Sequence, residues 1–261
     1  MNATDLILAK LAPGFALGLF AAMLLLLEAG RRLGRTHRER DTEAVPTAAV
    51  EGAVLGFLGL LIAFTFSGAA SRFDERRGLV TEEANAIGTA YLRIDLLPDA
   101  AQPALRELFR RYLDSRLETY RKLPDVDAAL AEYDNSVRIQ GEIWTEAVGA
   151  SAASGTTQAT MLLLPALNAM IDITTTRLMA TRIHPPTTIY VMLASVSLLA
   201  ALVAGYGMAS SPRRSWIHMV IFAAIVAVTV FVILDLEYPR MGFIRVDASD
   251  QVLSDLRRSM E

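Results

Sequence analysis

The sequence predicts an all-α membrane protein: four transmembrane helices, with a helical extramembrane domain between the second and third. Two observations carry this prediction. Apolar residues make up 53% of the 261-residue chain. They are gathered in four long blocks nearly free of charge, and the charged 20% lie between them. The stretch between the second and third blocks shows helical spacing and no sustained alternation, so strands are not expected there.

A helix rises about 1.5 Å per residue, so about 20 apolar residues cross the hydrocarbon core. The candidates run from Leu11 to Ala29, Gly52 to Ala70, Ile189 to Met208 and Trp216 to Leu234. Tyr190, Tyr206, Trp216 and Tyr238 sit where interfacial aromatic belts are expected. The first block ends in Glu28-Ala-Gly-Arg-Arg32 rather than a small-residue cleavage site, which predicts an uncleaved anchor. The chain therefore divides into a first transmembrane pair (1–70), a helical domain (71–186), a second pair (187–236) and a polar C-terminal tail (237–261). The short connections carry Arg31, Arg32, Arg35, Arg38 and Arg40, and then Arg213 and Arg214. By the positive-inside rule these loops face the cytoplasm and the helical domain faces the other side. Arg72, Arg76, Arg77, Arg177 and Arg182 argue the opposite way, but short loops weigh most in the rule.

No proline interrupts Gly52 to Leu97, so the second span is expected to continue as a helix beyond the membrane. Val80, Ala84, Ile87, Tyr91 and Ile94 share one face of that extension; Glu82, Asn85, Thr89 and Arg93 share another. Pro98 and Pro103 mark its end. The next helix, to about Lys122, is expected to bury Leu105, Leu108, Phe109, Tyr112, Leu113 and Leu117, and to expose Arg106, Arg110, Arg111, Arg116, Arg121 and Lys122. Glu107, Asp114 and Glu118 are interleaved, which favours a salt-bridged, solvated face over one that binds lipid or an acidic partner. A third helix is expected at Val126–Ala150, a joint at Ser151–Thr157, and a fourth helix at Gln158–Arg182 with Pro165 placed to kink it. His184-Pro185-Pro186 stops that helix before the third span.

The residues exclude more chemistry than they suggest. There is no cysteine, and His37, His184 and His218 lack ligand spacing, so neither a metal nor a cofactor is expected. The histidines read as solvent or interface residues. No phosphate loop, nucleophile elbow or zinc-protease motif is present, and no catalytic residue is assigned; an enzyme is disfavoured. A net charge of −3 gives no argument for nucleic acid. The most informative membrane feature is on the second span. Gly52, Gly56, Gly59, Ala63 and Ser67, with Ala70, recur at intervals of three and four and trace one face. Such a face packs closely on another helix or lines a narrow pore. A weaker counterpart on the third span is Ala194, Ser197, Ala201 and Gly205. Asp235 and Glu237, at the end of the fourth span, either line a cation path or are hydrated helix ends.

One block is more specific than composition. It comprises Ala63-Phe-Thr-Phe-Ser67, Ser71-Arg-Phe-Asp-Glu-Arg-Arg77 and Glu83-Ala-Asn-Ala-Ile-Gly-Thr-Ala-Tyr-Leu-Arg93, closing with Leu96-Leu-Pro98. It resembles the signature of the bestrophin-like domain family, bacterial membrane proteins of undefined function. Leu167-Asn168, Ile171-Asp172 and Arg177 look like the same family, as does the acidic end of the fourth span. The resemblance singles out the polar residues Arg72, Asp74, Arg76, Glu82, Glu83, Asn85, Arg93, Asn168, Asp172 and Arg177. It implies a bacterial inner-membrane location. Through the family's distant likeness to true bestrophins, which are oligomeric anion channels with a cytosolic helical domain, it also implies a homo-oligomer with the second span near its axis and a cytosolic domain. The expected partners are thus membrane lipid and further copies of the chain. The leading functional expectation is an ion-conducting or transport-related protein. The alternative is a non-conducting sensor or scaffold that binds a protein partner through its helical domain.

Overall fold

The computed structural model describes residues 3–40, 48–155, 157–211, 213–238, 240, 242–246 and 250–261, without the side chains of 3–10, 40 and 154. The Arg40 side chain and Pro239 therefore lie outside the described residues. Among the described residues eight α-helices follow one another: α1 (Ala3–Arg40), α2 (Ala48–Leu92), α3 (Gln102–Arg121), α4 (Val126–Ser154), α5 (Thr157–Ala180), α6 (Thr187–Gly207), α7 (Trp216–Glu237) and α8 (Gln251–Arg258). No strand occurs among the described residues. The fold class is all-α.

Local chemistry accounts for the boundaries. The second helix runs unbroken for 45 residues and ends in a 3₁₀ turn at Arg93–Leu96, just before Pro98. Pro103 sits in the first turn of α3, where its missing N–H costs nothing. Asp125 caps α4 by accepting a hydrogen bond from the Ala128 amide at 3.0 Å. Gly155 closes α4 with φ 65°, the left-handed conformation in which a side chain would strain the backbone. Arg76 serves the end of α5, donating from Nε to the Ala180 carbonyl and from Nη2 to the Ile183 carbonyl, both at 3.0 Å.

The chain folds as two compact units, one built from Arg72–Ile183 with Pro239–Glu261 and the other from Ile7–Ser71 with His184–Tyr238. The first, the helical unit, has a single apolar core. Val80, Ile87, Ile94, Phe109, Tyr112, Leu113, Ile143, Leu167 and Met170 meet there, and Leu253 and Met260 of the C-terminal stretch are buried with them. The end of the polar tail, α8, is thus a packed helix of this unit, tied by Arg257 to Asp114 at 2.8 Å.

In the second unit, the close helix contacts are made by glycines of α1 and α6. A Cβ on Gly30 would collide with the Leu202 carbonyl oxygen and stand 3.0 Å from the Tyr206 nitrogen. One on Gly34 would meet Ala209 Cβ and the Tyr206 carbonyl oxygen at 2.7 Å, and one on Gly205 would strike the Leu27 backbone. Ser197 and Ala201, on the same face of α6, are fully buried. Among the described residues five helices are long and apolar enough to cross a membrane. The fifth is α5, with mean hydropathy 1.2 against 2.0 to 2.9 for α1, α2, α6 and α7.

Candidate functional site

The helical unit is organised around buried charge. Glu83 on α2 is fully buried, and each carboxylate oxygen accepts from a different arginine: Oε1 from Arg116 Nε of α3 at 2.6 Å, Oε2 from Arg177 Nη1 of α5. Arg116 and Arg177 are themselves buried, at 1% and 5% exposure. Arg116 Nη2 donates to the Tyr120 hydroxyl at 2.7 Å. Arg240 makes a two-pronged pair with Asp250 at 2.7 and 2.8 Å, and Arg177 Nη2 lies 4.0 Å from the same carboxylate. Tyr120 is the hub. Its ring centroid lies 5.3, 4.4 and 4.2 Å from the guanidinium carbons of Arg116, Arg177 and Arg240. Burial pushes its phenol above the usual tyrosine range, against the opposing pull of the Arg116 and Arg240 charges. Alongside, Gln140 Nε2 donates to Tyr112 Oη at 3.0 Å and Thr174 Oγ1 at 2.9 Å, joining α3, α4 and α5 through neutral bonds.

Of the polar residues expected from the sequence, the fold brings Glu83 and Arg177 into this cluster and uses Arg76 as a helix cap. Arg93 donates to the Leu162 carbonyl of α5. Arg72 is half-buried, while Asp74, Glu82, Asn85, Asn168 and Asp172 are exposed. Glu82 and Glu83, adjacent on the helix, point to solvent and core respectively. One expectation is overturned. Arg116, assigned above to the solvated face of α3, is among the largest fully buried side chains of the protein. It sits on the stripe Leu105, Phe109, Tyr112, Leu113, Arg116, Leu117, whose i, i+3, i+4 spacing carries it inward with its neighbours. That spacing was visible in the sequence, whereas Tyr120, Arg240 and Asp250 gave no signal. The rest of the basic face is salt-bridged: Arg110 to Glu107 (2.6 Å), Arg121 to Glu118 (2.9 Å), Arg106 to Asp95.

The second candidate lies on α2 within the membrane unit. Gly52, Gly56, Gly59, Ala63 and Ser67 are exposed, and a Cβ on any of the three glycines would meet nothing within 4 Å. Phe57, Phe64 and Phe66 are exposed too, and Leu58 and Ala69 are the residues this stretch buries. The chain buries 17% of this apolar segment, against 33% of α7. At the end of α7 the carboxylates are not hydrated: Asp235 and Glu237 are 4% and 1% exposed. Glu237 Oε2 lies 3.5 Å from Nδ1 of the half-buried His184, whose ring is 4.9 Å from that of Tyr238. His184 is thus a packed residue rather than a solvent one.

The chain matches the bestrophin-like domain family over residues 17–251. It belongs to that family. Solved structures agree with the bestrophin-like fold. Crystal structures of two variants of a bacterial bestrophin homologue from Klebsiella pneumoniae are similar at TM-score 0.64. One is 14% identical, covering 94% of this chain and 96% of the other. The second is 16% identical, covering 92% and 97%. A structure described as a membrane protein matches at TM-score 0.63 and 14% identity over 91% and 97%. No curated protein of known function matches this bestrophin-like chain.

Proposed function

We propose that this bestrophin-like protein is a homo-oligomeric inner-membrane protein that conducts or transports ions along the second span. The observation that carries the reading is the face of α2 on which Gly52, Gly56 and Gly59 stand open: among the described residues, a Cβ added at any of them would meet no other part of the chain within 4 Å. Large apolar side chains facing lipid need no partner, but a glycine face gains little from lipid tails. It fits further copies of α2, either in contact or set around a narrow axis to which Ser67 presents a hydroxyl. Four membrane spans, α1, α2, α6 and α7, suit this assembly. The apolar face of α5 is already engaged, since Leu163, Ala166, Leu167 and Met170 fill the core of the helical unit. The arginines of the short connections support an extracytoplasmic helical unit; single cysteines placed at the exposed position 131 and in the 31–40 stretch, in a chain without native cysteine, test that by membrane-impermeant labelling.

Purified protein in planar bilayers tests conduction. The expected result is a conductance altered by Gly56→Leu and by Ser67→Leu. Silent bilayers from a properly assembled oligomer would overturn it. A second reading, a non-conducting scaffold, rests on Leu92, Leu96, Met161 and Leu162, exposed apolar residues of the helical unit close to the Arg93–Leu162 bond. It requires a protein partner whose crosslinking depends on residues 98–186.

A further inference from the structure

We propose that the membrane unit binds the phosphodiester headgroup of an anionic phospholipid where the end of α1 meets the start of α7. The site is built on one carboxylate. Arg32 donates from Nε to Glu28 Oε1 at 2.8 Å, and Arg214 Nη2, from the connection into α7, lies 2.8 Å from Glu28 Oε2. Glu28 thereby sets two guanidiniums side by side. Both arginines are exposed, and their remaining nitrogens meet no acceptor among the described residues. A planar guanidinium edge matches two oxygens of a phosphate. Holding two such edges in place beforehand lowers the ordering cost of binding.

A second observation lies deeper. Arg31 falls on the inward face of α1 with Leu27, Gly30 and Gly34, and is 6% exposed. It makes no hydrogen bond or ion pair among the described residues, although its charge reaches the Glu28 carboxylate. A positive charge held that deep, next to Glu28, favours an anion there. Three arginines thus share one acid. The excess survives a wider count, since residues 28–51 and 208–218 together carry seven arginines and five acids. The surroundings select a lipid over a free phosphate. Arg214 stacks on Trp216, its guanidinium carbon 3.7 Å from the ring centroid. Leu33, Trp216 and Ile217, which adjoin these arginines in the chain, are exposed apolar side chains at the ends of helices able to span a membrane. That pairing of apolar and basic groups suits headgroup depth. A zwitterionic headgroup would bring its own cation to the arginines, whereas an anionic one would not.

The test uses the full chain, delipidated in detergent and titrated with phosphatidylglycerol or phosphatidylcholine, with bound lipid read by native mass spectrometry. The wild type is expected to bind phosphatidylglycerol about tenfold more tightly, the worth of one charge-assisted hydrogen bond. Combining Arg32→Gln with Arg214→Gln is expected to erase that preference, whereas Arg121→Gln, an exposed position of the helical unit, keeps it. Inorganic phosphate in excess should not displace the lipid. Equal preference in the wild type and the double variant would overturn the proposal. So would binding of inorganic phosphate with no preference between the two lipids, which marks a site for a soluble anion. If the double variant does not fold, a phosphatidylglycerol with a photoreactive headgroup decides the matter on the wild type. Labelling within 28–40 or 211–218 that excess phosphatidylglycerol removes and phosphatidylcholine does not is the expected result; such labelling only elsewhere would overturn it.

Discussion

The helical unit and the membrane unit hold their helices together by opposite means. In the helical unit, water drives apolar faces inward, and Ile87, Phe109, Leu113 and Leu167 form a core of bulky side chains. Within that core the charges of Glu83, Arg116 and Arg177 fix which helix meets which. In a bilayer, lipid tails are as apolar as leucine, so the same force cannot select a partner. There α1 and α6 approach backbone to backbone through Gly30, Gly34 and Gly205. The second helix contributes to both units and shows the contrast along its own length. Its 80–92 stretch, with the 3₁₀ turn that follows, buries Val80, Ala84, Ile87, Ala90 and Ile94, while its membrane stretch leaves a glycine face uncovered. Large side chains thus specify the interior of one copy, and small ones leave room for another backbone.

The sharpest break in that comparison is at Glu83. Glu83→Gln leaves two buried guanidiniums without their carboxylate, and removing one partner of a buried pair typically costs about 3–5 kcal/mol. Glu82→Gln, one residue earlier and exposed, should stay within about 0.5 kcal/mol of the parent. Urea unfolding of the detergent-solubilised protein separates the two. Equal effects would mean that the cluster is solvated and does not organise the unit.

Much of this architecture could be read from the sequence, because length and periodicity are written residue by residue. The unbroken second helix followed from the absence of proline, and the inward face of its extension from i, i+3, i+4 spacing. Less legible was everything set by contacts between distant segments. Arg116 obeys the apolar spacing of α3, yet an arginine is ordinarily assigned to solvent unless its counter-charge is known. That counter-charge lies 33 residues away on another helix. Arg240 and Asp250 sit in what reads as a polar tail and acquire meaning only when the chain returns to Tyr120. On the membrane side, the small-residue stripe of α2 is clear in the sequence, whereas the backbone approach of α1 to α6 was signalled only by the weaker stripe on the third span, which ends at Gly205.

The glycines offer the next test, with effects of intermediate size. Gly205→Leu must displace the Leu27 backbone, and Gly30→Leu that of Leu202. Overpacking of this kind costs about 1–3 kcal/mol and is expected to lower the thermal stability of the purified protein. At Gly56 an added Cβ meets none of the described residues within 4 Å, so Gly56→Leu should leave protomer stability unchanged and register in the mass of the proposed oligomer. If Gly56→Leu destabilised the protomer as much as Gly30→Leu, α2 would have a partner within its own copy and the contrast would fail.

The smallest effect probes whether polar bonding at the rim of the helical unit adds to its charged interior. Glu132 is held down to about 2, chiefly by a hydrogen bond from Lys122 (2.5 Å), then by Ser115 (2.7 Å) and Asn135 (2.8 Å), against a small opposing cost of burial. A carboxylate whose folded pKa is depressed adds stability that is complete above its ordinary value near 4.5 and is lost as pH falls toward 2. Because Lys122 is 37% exposed, solvent screening trims the contribution to about 1–2 kcal/mol. The expected outcome is a fall in Tm between pH 4.5 and pH 2 that is shallower in Glu132→Gln, with the two proteins converging at the acid end. The Glu132→Gln protein should start lower near neutral pH, since it lacks the charge that Lys122 stabilises. Parallel pH profiles would show that the Lys122–Glu132 bond is mostly replaced by water. The stability of the unit would then rest on the buried charges and the apolar core alone.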